Sequence, residues 1–270
     1  MIKSFLCPVC GQPLQAGKTS FFCSKNHQFD RAKSGYVNLL LHKHSNVPGD
    51  NKLMVSSRKQ FLQKGYYQIL ADKLCEEIQN ISLIHPMIVD AGCGEGYYTN
   101  QVYQALQQQA DIFGIDISKF ALNAAAKKNP QIHYAVASVF HLPIADHCCD
   151  IVLNLFAPYC GEEFQRILKP NGYLFLIIPG REHLWELKQA IYDTPYFNEV
   201  KDYILEGFQL QKIVKINDTI FLNCAEDIQN LFTMTPYYYK TSVESTKRLQ
   251  QLHTLETKIQ FELLIYQLKS

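Results

Sequence analysis

A chain of 270 residues and 31.1 kDa, 47% of them hydrophobic, can bury a sizeable core and has room for one large domain or two unequal ones. No apolar run approaches the roughly 20 residues of a membrane span, Met1 to Phe5 leads straight into cysteines instead of a secretion signal, and nine cysteines form an odd count without a paired framework, so reduced thiols and a cytoplasmic location are expected. The net charge of +1 is lopsided: residues 1–60 hold nine Lys/Arg and two acids, a local +7, and the other 210 residues sum to −6, so one end is suited to polyanions.

From the amino terminus, Cys7-x2-Cys10 and Cys23-x3-His27 give two knuckles separated by twelve residues. This spacing suits four ligands around one tetrahedral zinc, with no position left for an activated water, so the metal is read as structural. Phe5, Phe21, Phe22 and Phe29 are expected to pack around the knuckles, because so short a segment has few other apolar anchors and gains folding free energy from the metal. Tyr36 to Leu41 reads as a strand or turn docking this module to the body, and His42 to Asp50, with Pro48-Gly49, as a hinge or a loop facing the site. A helix is predicted over Ser57 to Asn80, kinked or split at Gly65.

The stretch around which the body is organised is Met87-Ile88-Val89-Asp90-Ala91-Gly92-Cys93-Gly94-Glu95-Gly96-Tyr97-Tyr98-Thr99, an apolar strand running into three closely spaced glycines and then a helix, Tyr97 to Gln109. A second strand, Ile112 to Ile115, ends at Asp116, which is placed to accept hydrogen bonds from ribose hydroxyls or to cap the helix beginning at Ser118. A strand at Ile132 to Val136 leads into Ala137-Ser138, and Asp150 to Phe156 forms the most apolar strand before the break at Ala157-Pro158. Helix Glu162 to Leu168, strand Tyr173 to Ile178, helix His183 to Ile191, strand Phe208 to Ile216, helix Ala225 to Phe232 and strand Phe261 to Gln267 follow. The alternation predicts an α/β fold with a doubly wound, Rossmann-like sheet, ligand loops at the carboxyl ends of its strands and a late strand pair on the far edge.

The acid at the end of the first strand separates two cofactor classes. An anion at that point repels a pyrophosphate, whereas S-adenosyl-L-methionine carries an ammonium and a sulfonium and has no phosphate, so the turn is read as a methyl-donor site. The zinc pattern, the run Phe29-Asp30-x-Ala32-Lys33-x-Gly35-Tyr36-Val37-Asn38-Leu39-Leu40, Pro48-Gly49-Asp50, Arg58, Phe61, Gly65, Tyr67, the glycine turn, Asp116-x-Ser118-Lys119, Ala157-Pro158, Pro179-Gly180, His183-Leu184-x-Glu186-Leu187-Lys188 and Met234-Thr235-Pro236 together resemble the bacterial 23S rRNA guanine-N1 methyltransferases over nearly the whole chain.

The resemblance implies a class I methyltransferase body (81–270), a zinc-binding RNA-recognition module (1–40) and a helical link (41–80). It implies a donor over Gly92, Gly94 and Gly96, with Asp90, Tyr97 and Tyr98 beside it, Asp116 on the ribose and Ala137-Ser138 near the adenine, and structural Zn2+ on Cys7, Cys10, Cys23 and His27. The implied substrate is a guanine in a hairpin of 23S ribosomal RNA, free or in an assembling large subunit, and the implied assembly is a homodimer with a shared cleft. Asn154, Pro158 and Tyr159 are expected to shape the guanine pocket, and Tyr36, Tyr97, Tyr98 and Tyr237 are candidates for stacking on the base. Arg31, Lys33, Lys43, Arg58 and Lys59 are expected to contact phosphates. His141, Asp146 and His147 are weighed as proton acceptors against structural roles. The competing functions are a zinc-containing RNA-binding scaffold with a non-catalytic methyltransferase fold, and a methyltransferase acting on another RNA, a protein or a small molecule.

Overall fold

The computed structural model describes residues 4–41, 49–199 and 202–269; His42, Lys43, His44 and Pro48 lie outside them. The amino-terminal segment folds into a small antiparallel sheet of β1 (Gln15–Ala16), β2 (Ser20–Phe22) and β3 (Gln28–Asp30). Each knuckle is closed by a left-handed residue, Gly11 at φ 70° and Asn26 at φ 63°, where the backbone N–H groups of Gly11 and Asn26 donate back to Cys7 and Cys23. The chain then enters the main sheet directly as β4 (Val37–Asn38), parallel to a later strand.

Two helices follow where one was predicted. α1 (Lys52–Gln63) begins five residues earlier than expected because Asn51 caps it, its side-chain oxygen accepting from the Met54 N–H, and α2 (Gln68–Asn80) starts after Gly65 turns left-handed at φ 83°. β5 (Met87–Ala91), α3 (Tyr97–Ala105), β6 (Asp111–Asp116), α4 (Lys119–Lys128), β7 (His133–Val136), β8 (Cys149–Leu155), α5 (Gly161–Ile167), β9 (Leu168–Pro179) and α6 (Trp185–Ile191) keep the predicted alternation. β10 (Phe208–Leu222) runs six residues past its predicted end, α7 (Ala225–Thr233) and a 3-10 turn at Pro236–Tyr239 follow, and α8 (Val243–Gln250) was not expected from its polar sequence. β11 (Leu255–Leu268) returns antiparallel between β10 and β9.

Among the described residues the main sheet has eight strands in the order β10-β11-β9-β8-β5-β6-β7-β4. It is parallel from β9 to β4, and β5 and β6 are fully buried or nearly so, as a sheet covered on both faces requires. On one face Phe61, Leu70, Leu74, Val102, Leu122, Phe232 and Phe261 form a core. On the other, Phe5, Cys7, Leu14 and Cys23 of the metal module share a core with Val89, Ala91, Phe113 and Ile115, and the Phe5 ring meets Phe113 edge-on at 5.1 Å. The module therefore packs against β6 and shares its core with β5, the strand that leads into the glycine turn.

Candidate active site and metal centre

The glycine turn sits at the carboxyl end of β5, between β8 and β6. The N–H groups of Gly92 and Cys93 donate to the Ile115 carbonyl, and Gly92, Gly94 and Gly96 are all left-handed at φ 98°, 55° and 73°. Space as well as conformation demands glycine here: a Cβ on Gly92 would lie 2.3 Å from the Ala157 methyl, and one on Gly96 would lie 2.9 Å from the Tyr134 hydroxyl. Gly96 then opens α3 as its amino-terminal flanking residue.

Four acids surround this turn. Asp116 is fastened by two backbone donors, Gly94 N–H at 2.9 Å and Ser118 N–H at 2.7 Å, so it ties the turn to the start of α4 while each oxygen keeps a lone pair for a ribose hydroxyl. Capping of α4 falls to Ser118, whose hydroxyl accepts the Ala121 N–H, and not to Asp116, which supports that turn through the Ser118 N–H. Asp90 is 1% exposed; its Oδ2 accepts from Thr99 Oγ1 at 2.6 Å and its Oδ1 has no hydrogen-bond partner. Burial pushes its pKa up to about 7, with Thr99 opposing and Asp116 and Glu95 adding to the rise.

Arg58 was expected on the RNA backbone, and the structure places it here instead. Its guanidinium pairs with Asp50, stands 3.8 Å from Glu95 Oε2, reaches the Met234 carbonyl and lies 3.6 Å from where a Gly94 Cβ would be. Burial pulls its pKa down, but Asp50 and Glu95 outweigh that and hold it above the ordinary guanidinium value. Asp50 in turn accepts the Ser118 hydroxyl on its backbone carbonyl at 2.7 Å, which lays the chain entering α1 across the end of β6. Sequence reading missed this corner because Asp50, Arg58, Glu95 and Met234 are separated by up to 184 residues; the only signal was that all four fall within the stretches that carry the family resemblance.

These residues fit the methyl donor. A buried carboxylate oxygen without a partner beside a turn kept free of side chains suits an ammonium, and Arg58 at Gly94 suits a carboxylate. Ala137, buried, donates its N–H to the Asp116 carbonyl, and Ser138 Oγ accepts from Phe140, so both stand next to the Asp116 end of the site. Tyr98 is half-buried with a free buried hydroxyl, whereas Tyr97 packs onto α2 with its hydroxyl given to Gln68.

On the other side of the turn, Asn154 is buried at the end of β8 and both amide hydrogens are committed, to the carbonyls of Ala91 at 3.0 Å and Pro158 at 3.1 Å. It therefore shapes the β8 turn instead of offering those donors to a substrate. Pro158 is exposed, and Tyr159, 39% exposed, leans on Phe164. Two of the three loop groups weighed as proton acceptors are structural: Asp146 is paired with Arg166 at 2.7 Å, and His147 Nδ1 lies 3.1 Å from the Leu168 carbonyl, while His141 is exposed. Of the stacking candidates, Tyr97 is buried and Tyr36, Tyr98 and Tyr237 are only partly exposed. Phe156, not considered from sequence, is the more open ring at this end of β8.

The second centre is the cluster of Cys7, Cys10, Cys23 and His27, whose ligand atoms all lie within 4.8 Å of one another. Cys7 Sγ and Cys23 Sγ are each 3.5 Å from His27 Nδ1, and Cys10 Sγ is 3.7 Å from Cys23 Sγ. A tetrahedral zinc with ordinary bond lengths sets its ligands about 3.5–3.8 Å apart. Three thiols and one imidazole fill four positions, so the set fits a structural ion.

Comparison with known proteins agrees with both centres. Residues 5–46 match the zinc-ribbon family described as "RlmA, N-terminal", and residues 86–251 match the family described as "Methyltransferase domain". The 23S rRNA (guanine(748)-N(1))-methyltransferase of Streptomyces fradiae is 32% identical, over 71% of this chain and 69% of its own. A Micromonospora griseorubida protein provisionally named a 23S rRNA (guanine-N(1)-)-methyltransferase is 36% identical over 69% of each chain, and a Bacillus subtilis protein, YxjB, of the same provisional name is 29% identical over 97% of this chain and 96% of its own. In fold, a chain from the complex of the Haloferax volcanii Trm112 methyltransferase activator with its provisionally named methyltransferase is similar at a TM-score of 0.51 and 18% identity, covering 83% of this chain and 100% of that one. The two family matches, and relatives at 36% and 32% identity covering more than two thirds of each chain, show where it stands: the chain belongs to the family of S-adenosylmethionine-dependent 23S rRNA (guanine-N1)-methyltransferases.

Proposed function

We propose that the protein transfers a methyl group from S-adenosylmethionine to N1 of a guanine in a hairpin of 23S ribosomal RNA, presented free or in an assembling large subunit. The observation that carries this reading is the joining, through one shared core, of a metal module bearing exposed Lys18, Lys25, Arg31 and Lys33 to a turn whose buried Asp90 lacks a partner on Oδ1. When bound, the donor supplies an electrophilic methyl carbon on a sulfonium.

The residues of the chain do the holding. Asp90 and Arg58 fix the two charged ends of an amino-acid head, Asp116 fixes a ribose, and Asn154 sets the β8 turn at which Pro158 and Tyr159 border the acceptor. Alignment of the nucleophile with the methyl carbon is the main contribution such a site makes. Guanine N1 carries a proton in the neutral base, and that proton has to leave as the N1–carbon bond forms. Ala137 and Ser138 would border the adenine, and the zinc on Cys7, Cys10, Cys23 and His27 would hold the basic module in place. We keep residues 1–40, 41–80 and 81–270 as the functional division, a homodimer as the assembly and the cytoplasm as the location; no helix among the described residues is long and apolar enough to cross a membrane.

Incubation with labelled donor and unmodified ribosomal RNA, followed by mapping of the product, tests the reading. Label at N1 of a single guanine is the expected result. Donor binding without transfer would favour the scaffold, and label on protein or small molecules but not on RNA would move the substrate class.

A further inference from the structure

Phe156 is the first residue beyond β8, and it is held in the left-handed region at φ 58° with its ring 48% exposed. Both features are unfavourable for phenylalanine. A bulky L-residue is strained at positive φ, and an exposed ring gains little burial in return. Glycine or asparagine would make the same corner with less strain.

The corner itself is imposed by its neighbours. Asn154 draws the Ala91 and Pro158 carbonyls onto one amide, so the chain must reverse within four residues, and Ala157 is seated where Gly92 leaves room for it. In the parallel register Leu153 lies opposite Asp90, which brings Phe156 level with the glycine turn. Behind it the ring has rigid support: Phe156 meets Phe261 at 5.7 Å and 64°, and the buried Phe261 is packed against Tyr67 at 4.9 Å and His183 at 4.7 Å. One edge of Phe156 is thus fixed in an aromatic cluster while much of its ring is left open beside the cofactor turn.

We propose that Phe156 is the stacking platform for the guanine base that accepts the methyl group. The inference rests on the RNA reading above and adds the residue that receives the unstacked base. A base taken out of a hairpin loses its neighbours' stacking, and a fixed aromatic ring replaces that contact without selecting among sequences by hydrogen bonding. The strained backbone aims the ring before the substrate arrives.

The test uses the full-length protein and an in vitro transcript of the 23S rRNA hairpin that the mapping experiment above is to identify. Phe156→Leu keeps apolar volume and removes the ring; Phe156→Tyr keeps the ring. Single-turnover methylation is expected to fall about 10- to 100-fold in Phe156→Leu and to stay near wild type in Phe156→Tyr, with calorimetric affinity for S-adenosylmethionine unchanged in both. In a transcript carrying 2-aminopurine at the target position, fluorescence is expected to be quenched by wild type and Phe156→Tyr and brighter with Phe156→Leu. Equal rates and equal quenching in Phe156→Leu and wild type overturn the platform while leaving the RNA reading intact. A parallel loss of donor affinity in Phe156→Leu also overturns it, by making Phe156 a donor contact. Failure of wild type to methylate any ribosomal RNA overturns both readings together.

Discussion

Replacing Asp90 by Asn should make the free protein more stable and the donor site worse. The Asp90 carboxyl is buried, has one partner in Thr99 Oγ1 at 2.6 Å and leaves Oδ1 bare. Burial lifts its pKa from 3.8 to about 7. The folded chain therefore retains a proton that the unfolded chain releases, so stability falls as pH rises from about 4 to 7 and levels off above. At roughly 1.4 kcal/mol per pH unit the full fall is about 4 kcal/mol. Asn carries no charge and removes that slope, while the amide left unpaired at the Oδ1 position costs about 1–3 kcal/mol. The net gain at pH 8 is about 1–3 kcal/mol, or roughly 2–10 °C in thermal midpoint for a chain of this size.

Donor binding should move the other way. The site needs the carboxylate to receive an ammonium, so wild-type affinity should strengthen as pH rises from 6 to 8. Asp90→Asn should bind about 10- to 100-fold more weakly, the usual worth of a hydrogen bond to a charged group, and without that pH dependence. Calorimetric unfolding and titration with S-adenosylmethionine across pH 5–8 measure both effects. A variant that melts lower than wild type at pH 8, or binds the donor equally well, would refute the assignment of Asp90 as a destabilised anion kept for the ligand.

Metal removal from the intact chain should lower the thermal midpoint of the methyltransferase body by about 5 °C or more, because Phe5, Cys7, Leu14 and Cys23 share its core with Val89 and Phe113; a chelated sample shown to be metal-free but melting normally would contradict this. Gly92→Ala should cost about 2–4 kcal/mol, combining strain at φ 98° with the clash 2.3 Å from Ala157, and adding Ala157→Gly should restore only the clash portion of the loss in a denaturant titration. Arg58→Met should cost about 2–3 kcal/mol, less than a fully buried pair because the side chain is 24% exposed, and should weaken donor binding without changing the salt dependence of RNA binding. Lys33→Ala and Lys59→Ala, both exposed, should instead each reduce the slope of log affinity against log salt by about 1; an Arg58→Met variant that behaved like them would return Arg58 to the phosphate contacts.

Features set by short-range geometry were legible in the sequence. The knuckle spacing of Cys7, Cys10, Cys23 and His27 encodes one tetrahedron, and the Gly92/Gly94/Gly96 turn after an apolar strand encodes a ligand loop, because bond lengths and φ limits act over a few residues. The alternation of strands and helices followed from apolar runs in the same way. The split at Gly65 was foreseen as one of two options, and the polar α8 was missed because it buries only Ser245 and Leu249, with Leu249 its one buried apolar residue.

Other features were decided by contacts between distant parts of the chain. Insertion of Val37–Asn38 beside β7 turned a docking segment into a sheet edge. Asp50 and Glu95 drew Arg58 away from solvent and into the cofactor corner, which no count of basic residues could foresee. Asn154 spent its amide on two carbonyls, and the turn it tightened forced Phe156 into a conformation that its own side chain disfavours. Ion pairing, burial and backbone strain depend on which partners the fold brings within a few ångströms, and that proximity exists only once the sheet has closed around the turn.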